Sequence, residues 1–149
     1  VTAEWNRSLD SFCEVATSDM RLAMPLTYDL LVHEFDLSHA LQKPNLLEDE
    51  NALLLAMNVA ALILHGDISK AEVGSLLLVA NDNEWQCGSG DVIATLDLSA
   101  TANPIFELIR LTGSRRSQRQ LLAYPWQGDF ERILPLLSHM ELPLHDIVE

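Results

Sequence analysis

Positive charge is scarce in this chain. Lys and Arg number 9 against 22 Asp and Glu, which leaves a formal net charge of −13 over 149 residues. Such a balance repels polyanions at long range. It disfavours duplex nucleic acid, whose binders draw much of their affinity from neutralising phosphates. Aromatic residues make up only 6%, so a core has to be assembled mainly from Leu, Ala, Val and Ile. There are two cysteines, Cys13 and Cys87, at no metal-ligand spacing. That excludes a disulfide framework and fits reduced thiols in a cytoplasmic protein.

Long hydrophobic runs are missing as well. The most apolar stretch, residues 52–64, is thirteen residues long and contains Asn58. A bilayer span needs ~20 apolar residues, so this stretch reads as a buried core helix and no membrane role is expected. The opening VTAEWNRSLD has no basic stretch followed by an apolar run, hence no signal peptide as it stands. Catalytic and metal motifs are equally thin. In VHEFDLSH the histidines, His33 and His39, are six residues apart and diverge around a helix, whereas a zinc-protease helix needs them four apart. GSG at 88–90 lacks the glycine-lysine pattern of a phosphate loop, and no nucleophile elbow surrounds a serine. Neither a metal nor a cofactor is expected, and the reading leans away from an enzyme.

What the chain does have is 48% apolar residues in a length that suits one domain with its own core. Punctuation divides it into helices. Trp5, Leu9, Phe12, Val15 and Ala16 recur at helical spacing over 4–17. A second helix runs from about Leu26 to Gln42 and stops before Pro44. Asn45 and Glu48 form a capping-box pattern for a third helix near 46–65, with Gly66 as its left-handed exit. Residues 67–100 fit two readings. Ser69 and Glu72 could open another capped helix through Ala80, which is the preferred reading. The rival is a small β-hairpin within 75–98, with SLLLVAND and VIATLDLS as strands and EWQCGSGD as the turn. Asn103, Pro104 and Gly113 bracket a further helix. A short one follows Ser114 and stops by Tyr124, and Asp129 caps a last one kinked at Pro135. The expected fold is therefore mainly α: one domain over 1–149, a bundle of about six or seven helices.

Two features remain unexplained by a simple bundle. The second helix carries two separate apolar faces: Leu26, Leu30, Leu37 and Leu41 on one, Tyr28, Leu31, Val32 and Phe35 on the other. A surface helix normally has one. The second of these faces, Tyr28, Leu31, Val32 and Phe35, is taken as the candidate partner-binding surface. The other feature is the passage LTGSRRSQRQLL. Four of the nine cations, Arg110, Arg115, Arg116 and Arg119, fall within ten residues, while the first hundred residues carry a balance of −12. Arg115, Arg116 and Arg119 are candidate contacts for an anion or an acidic partner through bidentate guanidinium bonds.

Together these features point to a non-enzymatic, acidic, regulatory module that binds another protein or forms a homodimer. One alternative is a nucleic-acid-related role, either a DNA mimic built from the acidic first hundred residues or anion contact through the three arginines. A small acidic secretion-type chaperone is similar in size and charge, although three leading helices depart from that α/β architecture.

Overall fold

The computed structural model describes residues 20–43, 50–138 and 140–148. The helix expected over 4–17 and the capping box at Asn45 and Glu48 lie outside these residues. The first described helix, α1 (Met20–Ala40), starts earlier than its pattern suggests and runs through Pro25, whose missing N–H removes one bond. Next comes α2 (Glu50–Ala71), which does not stop at Gly66. Nothing crowds that glycine, so the helix continues through it. It ends where Glu72 and Gly74 take positive φ.

Beyond Gly74 the chain is not helical. Strands β1 (Ser75–Ala80), β2 (Asn83–Gly88) and β3 (Val92–Asp97) are followed by α3 (Pro104–Thr112), α4 (Gln118–Ala123) and a short β4 (Trp126–Gly128). The strands form one mixed sheet in the order β2-β1-β3-β4. β1 pairs antiparallel with β2 and parallel with β3, so the link Ser89–Asp91 passes beneath the start of β1. Two glycines permit that crossing. A Cβ on Gly74 would lie 2.7 Å from Ile93 Cγ2, and one on Gly88 would lie 2.6 Å from the Gly74 carbonyl.

The fold is thus α/β, and the expected mainly α bundle of six or seven helices is overturned by a four-stranded sheet. The helix expected from Ser69 through Ala80 is replaced by the end of α2 and by β1. EWQCG, expected as a turn, is strand β2, and the hairpin closes at Asn81–Asp82. The period-two signal was present: Trp85 and Cys87 point inward while Glu84 and Gln86 are exposed. The helix expected after Asp129 is broken around Pro135 into two 3₁₀ turns, Phe130–Arg132 and Leu134–Leu136.

One face of the sheet carries the core. Leu76 and Leu78 stand opposite Cys87 and Trp85 on one side and beside Ala94 and Leu96 on the other. α2 lies across this face, burying Ala56, Met57, Ala60, Ala61, Leu64 and Ile68. By length and composition α2 could cross a membrane; one side of it is given to this packing, while Leu55, Leu62 and Ile63 remain exposed. Asn58, the polar interruption in the apolar run, accepts the Trp85 Nε1 hydrogen at 2.7 Å. Burial pushes the Cys87 thiol up to about 11, which keeps it protonated and inert at neutral pH. α3 packs against α2, and α1 closes over both.

Candidate docking surface and arginine staple

The two apolar faces of α1 meet different fates. Leu31, Val32 and Phe35 are buried in the chain's own core, and Tyr28 is packed half-buried against it. Phe35 meets Phe106 of α3 edge-on, with ring centroids 4.7 Å apart. The Tyr28 hydroxyl donates to Thr112 Oγ1 at 3.0 Å, and burial raises its pKa. A Cβ on Gly113 would come within 3.2 Å of Val32, so the backbone leaving α3 closes directly onto α1. The four residues singled out as a partner surface are therefore an internal seam, because α2 and α3 together cover them.

The opposite side of α1 stays open. At 100° per residue, Leu26, Leu30, Leu37 and Leu41 centre about 180° from the buried seam. They are 39%, 60%, 63% and 63% exposed. Among the described residues, no adjustment of α2 or α3 covers a stripe that points directly away from them. Its spacing is more regular than the leucines alone suggest. Residues Leu26, Leu30, His33, Leu37 and Ala40 alternate steps of four and three, the seam of a heptad repeat. The stripe from Leu26 to Leu41 is about 22 Å long at 1.5 Å per residue. Carboxylates flank it: Asp29 and Asp36 on one side, Glu34 on the other. His33 stands within the seam, 3.6 Å from Asp29 and 3.5 Å from Asp36.

The arginine-rich passage explains how α1 is fixed in this pose. Arg110, on the last turn of α3, is 1% exposed. Its Nη1 donates to Asp36 Oδ1 at 2.8 Å and to the Val32 carbonyl at 3.3 Å. Arg115 grips the same carboxylate from the loop beyond, Nη2 to Oδ2 at 2.7 Å and Nε to Oδ2 at 3.1 Å. Partial burial pushes the Asp36 carboxyl up, but the hydrogen bonds and charges of Arg115 and Arg110 outweigh it and hold the group below the ordinary aspartate range. Arg116 is turned inward, pairing with Glu107 at 2.9 Å, and the Tyr124 hydroxyl donates to the same carboxylate at 2.7 Å. Burial raises Glu107 too, and again the arginine and tyrosine bonds more than reverse it. Arg119 alone of the cluster is largely exposed, and it meets Asp146.

So Arg115, Arg116 and Arg119 each hold a carboxylate of their own chain rather than an open anion site. Sequence reasoning identified the cluster but not its ligands, because Asp36 is 79 residues away from Arg115. Among the described residues no group of three His, Cys, Asp or Glu is placed to hold a metal ion. Comparison with known proteins returns nothing: no family model matches the chain, and neither a curated protein nor a solved structure is significantly similar to it.

Proposed function

We propose that this chain is a protein-docking module whose contact surface is the outward stripe of α1, and that its partner presents a basic amphipathic helix. The observation that carries the reading is the second apolar face itself. Three exposed leucines in heptad register, Leu26, Leu30 and Leu37, with Leu41 beside them just past the helix end, lie opposite a sealed face of the same helix. A helix is the occupant that interdigitates with such spacing. Charge chooses between a foreign helix and a second copy. Flanking positions of a packed helix pair sit next to the partner's flanking positions, and here the carboxylates not committed to an arginine of the described chain are Asp29 and Glu34, since Asp36 is held by Arg110 and Arg115. A second copy would bring like charges together within a chain already at −13, whereas lysines or arginines would pair with them and accelerate encounter.

The test uses two synthetic helical peptides with leucine at the heptad core positions, one flanked by lysine and one by glutamate. Titration calorimetry should register binding of the lysine peptide, weakening with salt, and none of the glutamate peptide. Leu30→Ser/Leu37→Ser should lower affinity at least tenfold while circular dichroism and Tm stay as in the parent, since solvated residues contribute little to folding. Equal binding of both peptides would remove the charge argument. A dimer in light scattering that the double variant dissolves would replace the partner with a second copy. Loss of thermal stability without peptide binding would make the stripe an internal seam.

A further inference from the structure

The segment after the 3₁₀ turns returns past α4 without regular secondary structure, and two successive residues of it are held in different ways. Asp146 is held by its side chain: Ser117 Oγ donates to Oδ1 at 2.5 Å and Arg119 Nη2 meets Oδ2. Ile147 is held by its backbone. Gln120 Nε2 donates to its carbonyl at 2.7 Å, and Gln120 Oε1 accepts its N–H at 3.1 Å. Gln120 is itself fixed in place by the capping box with Ser117. Four residues before Asp146, Leu142 is partly buried against the core. Apolar packing is otherwise sparse. Leu144 is 94% exposed, and a cavity of about 480 Å³ opens among Ser117, Gln118, Pro143 and His145.

One selected carboxylate, one backbone pair that accepts any residue retaining its N–H, and one leucine anchor are how a short irregular peptide is recognised, not how a core is built. We infer that Ser117, Arg119 and Gln120 form a peptide-recognition site. It takes an acidic segment, bent between its leucine and its aspartate, of the pattern Leu-x-x-x-Asp followed by any residue except proline. Residues 142–147 are its resident and replaceable occupant, and a matching segment of a partner protein displaces them. This site is separate from the leucine stripe and does not depend on it.

A fluorescent peptide carrying residues 141–148, ELPLHDIV, tests the idea against the full 149-residue chain. Asp146→Lys/Ile147→Pro releases the resident segment, because it reverses the selected charge and removes the paired N–H. Fluorescence anisotropy should show at least tenfold tighter peptide binding to this variant than to the parent. Adding Arg119→Asp should abolish that binding, and a peptide with Arg in place of Asp146 should restore it. Equal binding to the parent and the released variant, or binding to neither with the fold intact, would overturn the inference. So would a concentration-dependent dimer of the parent that the released variant does not form, since the segment would then belong to a second copy. If the released variant unfolds, hydrogen exchange on the single Arg119→Asp variant decides. The Ile147 amide should exchange at least tenfold faster while Leu121 in α4 stays protected, and unchanged exchange at Ile147 would equally overturn the proposal.

Discussion

The two apolar faces of α1 are built from similar residues, yet one is sealed and the other is bare. Tyr28, Leu31, Val32 and Phe35 lie against the core formed with α2 and α3, while Leu26, Leu30, Leu37 and Leu41 face outward. Hydrophobicity does not distinguish them. What does is the position of Asp36, about 90° from the buried centre, where Arg110 and Arg115 can reach it from α3 and the loop behind it. The salt-bridged carboxylate fits this rotation of α1, and turning the helix to bury the other face would carry Asp36 away from both arginines. A charged staple of this kind selects between orientations more than it adds net stability, since burying charges offsets most of what their attraction contributes.

The largest expected effect breaks the comparison directly. Phe35→Ala should cost about 3–5 kcal/mol through lost transfer energy and the cavity left beside Phe106. Leu37→Ala, two residues away on the same helix, should stay within ~0.5 kcal/mol because its side chain is already in water. Urea denaturation of the two variants reads both numbers. Similar losses at the two sites would mean that the outward face is covered.

Next in size is the staple. Asp36→Ala removes the carboxylate that the buried Arg110 and its neighbour Arg115 share, at about 2–3 kcal/mol. This lies below the range for a fully buried pair because Asp36 remains about a third exposed. The sign of the pH dependence follows from the lowered carboxyl pKa values of Asp36 and Glu107. Depressed groups contribute fully above their unfolded values, ~3.9 for Asp and ~4.3 for Glu, and lose that contribution as pH falls through the lower folded values. Stability should therefore be level with respect to these groups above ~pH 5 and decline below ~pH 4. Asp36→Asn and Glu107→Gln should each begin lower and decline less steeply.

How much of this was legible in the sequence depended on whether the signal was local. The end of α1, the bounds Asn103–Gly113 around α3, and the stop before Pro125 are written in neighbouring residues and could be read. The sheet could not. SLLLVA is too short for periodicity to separate strand from helix, and β1 pairs with β3 in parallel across an intervening strand, which no adjacent residues announce. The α1 stripe was visible as one of two apolar faces, but choosing between them required knowing where Arg110 and Arg115 find Asp36.

The smallest effect sharpens the comparison within the arginine passage itself. Arg116 is buried on Glu107, so Arg116→Ala should cost about 1–3 kcal/mol, the desolvation of a partly buried carboxylate that keeps only the Tyr124 bond. Arg119 is 84% exposed on Asp146, and Arg119→Ala should cost ~0–1 kcal/mol and less at high salt. Thermal unfolding at low and high ionic strength separates the two residues. Equal losses would place Arg119 among the staples. A salt-sensitive trace at Arg119 beside a salt-insensitive one at Arg116 would make three of the four clustered cations structural and leave the fourth for an exchangeable contact.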